Sequence, residues 1–375
     1  MKTPEKIIRS EIEQQGVLSF ARFMGLALYC PQTGYYERNH DNVGRAGDFI
    51  TSVSTGSLFG ELLAFQFAAW LEELKVQNAK LKIVEAGAHD GKLAADILNW
   101  LKDFRPRLFS EMEYVILEPS PNRQRWQHER LKGFSNVRWI EQVNDPAQPL
   151  CDGIIFSNEL LDAFPVHRIG WDAKKKKWFE WGVALDGDKL VWQRMAHSHL
   201  FQSKSVAYVL DLRQEASADI VVPTELWEIL PDGYTIEISS AADNWWRKAA
   251  KFLQRGKLLT VDYGLTAEEI FSATRTNGTL RAYHHHRVTD DLLTNPGEQD
   301  LTAHVNFSAI QKVGEEAGLK TELFSTQTKF LTQILEKTLT DKSFGEWSGS
   351  RTRQFQALTH PEHLGRAFRV LIQSR

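Results

Sequence analysis

Cysteine is almost missing from this chain: Cys30 and Cys151 stand far apart with no Cys-x-x-Cys spacing. Neither a disulfide scaffold nor a cysteine-rich zinc site can be built from them, and a reducing compartment is the expectation. Long apolar runs are lacking too. The most hydrophobic stretch, Phe59 to Leu71, is interrupted by Glu61 and Gln66 and falls short of the roughly 18 uninterrupted apolar residues that a membrane span needs. No membrane span is expected. Nor is there an excess of either charge, with 45 Lys and Arg against 48 Asp and Glu and a net charge of −3. A nucleic-acid partner is not expected, because phosphate binders carry a strongly basic domain or stripe.

What is present fits a soluble globular protein: 375 residues, 42% hydrophobic and 25% charged. That length allows two domains or one large α/β domain with insertions. From Leu81 the chain alternates in type. Leu81–Gly87 reads as a buried strand, Lys92–Phe104 as a helix, Glu113–Glu118 as a strand and Pro121–Lys132 as a helix with proline in its first turn. Val137–Ile140 and Asp152–Ser157 read as further strands. Such strand–helix–strand units make a parallel sheet that binds ligands outside the carboxyl ends of its strands.

After Pro165 aromatic and polar positions alternate, which predicts inserted β-hairpins. In them Trp171, Trp178 and Trp181 are expected mostly to pack on one another, and Lys174–Lys177 to be a solvated turn. A helix near Ala241–Gln254 and a strand Lys257–Asp262 resume the sheet. Strands near Thr279–Tyr283 and Leu319–Ser325, bracketing a helix Phe307–Ala317, are expected to complete it antiparallel. The N-terminal 75 residues read as mostly helical around the Gly-rich loop Gly44–Ser57. The expected organisation is a helical cover with lid loop over 1–75, a core over 76–165 and 236–330, a β-rich arm over 166–235 and a helical extension over 331–375.

Three segments carry chemistry. In KIVEAGAHDGKLAADIL (82–98) a strand ends at Glu85, and Gly87 and Gly91 open a helix whose free N–H groups face a ligand. The pattern is not the GxGxxG of dinucleotide sites. The next strand ends in Glu118, placed to accept ribose hydroxyls of an adenosine. The third, IIFSNELLDAFPVHRI (154–169), brings Asn158, Glu159 and Asp162 to the same sheet edge. Helix capping and the helix dipole are the structural alternatives there.

With these segments in place, the chain resembles the MidA-like S-adenosylmethionine-dependent methyltransferases over roughly residues 5–330. The likeness rests on FMGLALYCPQTGYY (23–36), GRAGDFITS (44–52), LFGELLAFQ (58–66), VEAGAHDG (84–91), SNELLDAFPVHR (157–168), VDYG, GTLRAYHHH and PGEQDLTAHVNFS (296–308), in the family's order. Mitochondrial members of that family methylate an arginine in a core subunit of respiratory complex I during its assembly. The resemblance implies a Rossmann-like methyltransferase sheet and S-adenosylmethionine held by Gly47, Asp48, Phe49, Thr51, Glu85, Gly87, Gly91, Glu118 and Asn158. It implies a protein substrate presenting an arginine. Two departures stand out. Ala88, His89 and Asp90 replace a run that in the family reads closer to ELGPGRGTL, so an aspartate adds negative charge beside a cationic cofactor. In the lid loop Ser54 stands where the family carries a carboxylate.

Methyl transfer from a sulfonium is an in-line displacement that asks for positioning and control of charge. Phe49 and Tyr263 are candidates to face the sulfonium. A guanidinium, with its pKa above about 12, must have its charge held elsewhere to expose a nitrogen lone pair. Glu159 and Asp162 could hold it in a bidentate fork, Asn158 could orient the attacking nitrogen, and Asp262 or His167 could accept the proton. His284, His285, His286 and His304 are expected to line a cleft, and no metal is expected. Two other readings stand beside this one: an assembly factor that keeps the fold and binds a partner with little catalysis, and a nicotinamide-dependent oxidoreductase. The acidic N-terminal segment, with Glu5, Glu11 and Glu13, is unlike a transit peptide. A bacterial cytoplasmic setting is therefore expected ahead of a mitochondrial one, and a dimer is compatible with the sequence.

Overall fold

The computed structural model describes residues 3–38, 51–74, 80–143, 150–198, 229–272, 274–284, 287–289, 291–362 and 364–375. The chain divides into two compact units. The first comprises Met1–Asn39, Leu161–Trp245 and Gly264–Val313, and the second His40–Leu160, Trp246–Tyr263 and Gly314–Arg375.

The second unit is built on a sheet in the spatial order Lys320–Thr326, Phe368–Ser374, Leu253–Leu265, Cys151–Asn158, Lys82–Ala86, Glu113–Leu117, Val137–Ile140. The five strands from Leu253–Leu265 onward are parallel to one another. Phe368–Ser374 runs antiparallel to both its neighbours. Lys82–Ala86 is the middle one of the five parallel strands, and the chain proceeds from it first to one side, through Glu113–Leu117 and Val137–Ile140, and later to the other, through Cys151–Asn158. That reversal of direction is a topological switch point, where parallel sheets open a crevice for ligands.

Helix Leu58–Glu73 is buried along most of its length. It is apolar on nearly every side, as a helix inside a core must be. Its Leu62, Phe67 and Leu71 join Ile83, Ile154, Phe156 and Leu259 from the sheet and Leu93, Ile97 and Leu101 from helix Lys92–Phe104 in one core. Each such side chain contributes about 1.5–3 kcal/mol on burial.

In the first unit, Thr3 and Ser19 cap helices Pro4–Gln15 and Phe20–Tyr29 through their side-chain oxygens. These helices share a core with Val166, Val183, Leu280 and Leu301. The expected hairpins are the antiparallel strands His167–Asp172, Lys177–Asp186 and Lys189–Arg194, joined by Thr235–Ile238 and Leu18–Ser19. Trp171 packs on Trp178 at 5.0 Å between ring centroids, and Trp181 meets Phe179 edge-on at 4.8 Å. Lys174–Lys177 is exposed.

Three expectations differ from what is found. Arg281–His284 does not complete the large sheet: it pairs with Arg287–Thr289 and Asp300–Thr302 in a small sheet of the first unit. The segment 331–375 is not wholly helical, because after helices Gln327–Thr340, Gly349–Thr359 and Leu364–Ala367 it ends in the strand Phe368–Ser374. The expected N-terminal cover is not one piece either. Helix Leu58–Glu73 belongs to the second unit and the helices before it to the first, since the largely apolar surface of Leu58–Glu73 is satisfied only inside the sheet's core.

Candidate active site

At the central strand's carboxyl end the backbone turns through three left-handed residues, Gly87 (φ +75°), His89 (φ +47°) and Gly91 (φ +84°). A Cβ at Gly87 would stand 2.8 Å from Leu160 Cδ1. Glycine is required there both for its φ and for that close approach. Gly91 then opens helix Lys92–Phe104, and the helix's first-turn N–H groups give the loop an anion-favouring character.

Asp90 does not leave its charge with the loop. Arg130 reaches its carboxylate at 2.5 Å and its carbonyl at 3.1 Å, and the Lys92 amide donates to Oδ1 at 3.0 Å. Burial pushes the Asp90 carboxyl up, but the His89 ring beside it, Arg130 and the Lys92 amide outweigh burial and hold it at about 2. The aspartate that departs from the family's run is thus neutralised locally.

Glu85 and Glu118 have different surroundings. The strand's two-residue period turns Glu85 to the face of Ile83, where its buried carboxyl accepts the Tyr114 hydroxyl at 2.6 Å. Burial raises its pKa to about 8, against that hydrogen bond and with Asp90 and Asp96 adding to the rise. Glu118, 1% exposed, accepts from the Ser120 amide at 2.8 Å and from Arg123 on both oxygens, at 2.8 and 2.9 Å. Gln127, a residue the sequence reading missed, connects the two segments. Its amide nitrogen donates to His89 O at 2.9 Å and to Glu118 Oε2 at 3.3 Å, while its oxygen accepts Trp139 Nε1 at 2.9 Å.

Across the switch point, strand Cys151–Asn158 runs into Glu159, which holds φ +50°. A non-glycine residue in this region is uncommon and strained. Its surroundings fix it: the Glu159 amide donates to Val261 O at 2.9 Å, Asn158 Nδ2 donates to Glu159 Oε1 at 3.0 Å, and the Leu160 amide donates to Asp262 Oδ2 at 3.1 Å. Asp262 is fully buried, and its other oxygen accepts the Tyr263 amide at 2.8 Å. Asn158 Oδ1 is buried and makes no hydrogen bond. Tyr263 packs its ring on Phe368, 4.0 Å between centroids.

Thr51 is buried and tied to Ser54 by four hydrogen bonds of 2.8–3.1 Å, so Ser54 closes a turn where the family carries its carboxylate. Gly47, Asp48 and Phe49 lie outside the described residues, as do His285 and His286. Among the described residues no group of three or more His, Cys, Asp or Glu side chains could hold a metal ion.

Within the first unit, Asp162 is buried and its carbonyl accepts the Ala303 amide at 3.0 Å. His167 Nδ1 lies 2.7 Å from Oε1 of Glu180, a carboxylate 2% exposed whose other oxygen accepts the Ser198 hydroxyl. Glu180 fixes the orientation of the ring. It sits in the aromatic run WFEW, and a carboxylate buried in such a run was the signal for it.

The glycine turn and the unpaired Asn158 oxygen stand at the carboxyl ends of two neighbouring parallel strands, beside the switch point. A family model described as "Putative S-adenosyl-L-methionine-dependent methyltransferase" matches residues 62–325. The chain belongs to that family. The methyltransferase takes S-adenosylmethionine as its donor, which sets aside the nicotinamide reading. A Drosophila melanogaster relative named as a mitochondrial protein arginine methyltransferase NDUFAF7 homolog is 27% identical over 98% of this chain and 83% of its own length. The Danio rerio protein arginine methyltransferase NDUFAF7, also named as mitochondrial, is 28% identical over 82% of this chain and 71% of its own. A solved structure from Burkholderia thailandensis, described as a "likely methyl transferase" bound to S-adenosyl-homocysteine, matches with a TM-score of 0.81 and 28% identity, covering 99% of this chain and 92% of that one. Among the described residues no helix is long and apolar enough to cross a membrane.

Proposed function

We propose that this methyltransferase acts on an arginine side chain of a protein substrate. The observation that carries the reading is Glu159 at the sheet edge, strained at φ +50° and braced by Asn158, Val261 and Asp262. Strain of this kind persists where the surrounding structure enforces it, commonly at sites of chemistry. The relatives' names as protein arginine methyltransferases support the same acceptor.

When bound, S-adenosylmethionine supplies a methyl group on a positively charged sulfur. We assign Gly87, Gly91, Glu118 and Asn158 to hold it, with Gly47, Asp48, Phe49 and Thr51 from the N-terminal loop and Glu85 supporting the loop from its core side. Within the second unit Glu159 grips the guanidinium and keeps its charge away from the attacking nitrogen, which Asn158 orients, and the proton passes to solvent. Asp262, with its carboxylate on the Leu160 and Tyr263 amides, serves the Glu159 turn better than it serves a proton.

Mass spectrometry of arginine methylation in cells with and without this chain tests the acceptor. Glu159→Gln should abolish the difference between them, and full methylation by that variant would refute the assignment. One observation favours a second reading, an assembly factor with little catalysis: Arg123 already occupies the Glu118 carboxylate. Calorimetric titration with S-adenosylmethionine separates the two, since heat of binding requires Arg123 to yield that carboxylate to a ribose. The Drosophila melanogaster and Danio rerio relatives are named as mitochondrial, which weighs against the cytoplasmic expectation. Cell fractionation decides between the two settings.

A further inference from the structure

The turn 51–57 leads into the buried helix Leu58–Glu73, and three side chains from the C-terminal helices hold it in place. Ser52 Oγ donates to Gln327 Oε1 at 3.1 Å, with both residues fully buried, and Gln327 Nε2 donates onward to Leu358 O at 2.9 Å. Gln354 Oε1 accepts the Leu58 amide at 3.0 Å. Ser57 offers that helix no side-chain cap, so Gln354 satisfies a first-turn N–H group from a distant part of the chain. Gly56 holds φ +140°, and a Cβ there would stand 2.1 Å from the same Gln354 oxygen. Arg351 Nη2 lies 2.8 Å from Glu61 Oε2, while Ser57 Oγ donates to Glu61 Oε1 at 2.7 Å. Residues 327, 351 and 354 lie beyond the stretch 62–325 that the family model matches. Stability alone does not account for these ties, because an apolar pair at positions 52 and 327 would fill the same buried space with no donor to match to an acceptor. A directional bond adds a fixed position for its partner.

We infer that Gln327 and Gln354 are positioning residues of the donor site. They fix the turn on helices Gln327–Thr340 and Gly349–Thr359, and with it Thr51, which is assigned above to S-adenosylmethionine. Thr51 is joined to Ser54, and Thr55 Oγ1 donates to Ser52 O at 2.8 Å, so a shift at either end of the turn carries Thr51 along. Each glutamine acts through the turn and not on the donor directly. The inference rests on the donor assignment of Thr51 and is independent of the arginine acceptor.

The test is calorimetric titration with S-adenosylhomocysteine of wild type, Gln327→Met, Gln354→Leu and Gln354→Glu, at a temperature where melting curves show each to be folded. Gln354→Glu keeps an oxygen for the Leu58 amide, whereas Gln354→Leu keeps only the volume. Gln327→Met and Gln354→Leu should each bind about fivefold more weakly or worse, and Gln354→Glu should bind like wild type. A lower melting temperature with unchanged affinity in Gln327→Met and Gln354→Leu would overturn the inference, because the glutamines would then serve stability alone. Equal weakening by Gln354→Leu and Gln354→Glu would overturn it as well, since the contact would then be one of shape and not of hydrogen bonding. Failure of wild type to bind S-adenosylhomocysteine would remove the donor assignment and the inference together, whereas wild-type binding with no loss in the variants removes the inference alone.

Discussion

Glu85 shows how one side chain's direction sets its chemistry. Its carboxyl, raised to about 8 by burial, binds its proton more tightly folded than unfolded. The stability it contributes is therefore complete below its ordinary value of 4.5 and is lost as pH rises through about 8. Glu85→Gln should melt at the temperature of wild type in acid and progressively above it as pH approaches 8.5. Thermal denaturation across that range checks this, and parallel curves would show that burial does not govern this carboxyl. The position of Glu85 at a strand end was legible in KIVEAG, because an apolar run stopping at glycine marks where a strand exits. Its direction was legible as well, through the two-residue period shared with Ile83, but the expectation followed the motif instead of the period. Glu118, Asn158 and Glu159 were read from the ends of apolar runs in the same way. That Arg123 would reach Glu118, and Val261 and Asp262 the turn at Glu159, was not, since nothing local in the chain records which residue a strand tip will meet.

Helix Pro121–Leu131 carries more of the site than its sequence announces. Most of its side chains are polar, so the inward stripe is hard to see, yet Gln127 and Leu131, four apart, are both buried. Gln127 ties the glycine turn to the neighbouring strand's acid, and Gln127→Leu would break three hydrogen bonds while keeping the volume filled. That variant should bind S-adenosylhomocysteine roughly five- to fiftyfold more weakly with its secondary structure intact, as read by calorimetry beside circular dichroism. Elements whose limits come from local chemistry lie where the sequence puts them: helix Lys92–Phe104 starts at Gly91, and strand Val137–Ile140 has its expected limits. Phe368–Ser374 escaped because a strand buried between two others loses the alternation that marks a half-exposed one. Its pairing partners, Lys257 to Tyr263 and Lys320 to Thr326, lie far away along the chain.

For the molecule as a whole, the interleaving of the two units matters more than any one motif. Each is assembled from three separate stretches of chain, so hairpins read as an inserted arm and the first helices of the expected cover belong to one body. Deletion of residues 368–374 takes out a strand paired on both edges, which should abolish cooperative melting of the second unit and its heat of S-adenosylhomocysteine binding. A sharp transition retained by that deletion would show the strand to be dispensable. The strand's place has a consequence for biosynthesis. Leu253–Leu265 leaves the ribosome about a hundred residues ahead of Phe368–Ser374, and for that interval the nascent chain carries an open edge of unpaired N–H and C=O groups. Such an edge recruits other strands, so a chaperone that shields it until translation reaches residue 374 would govern how much of this protein matures.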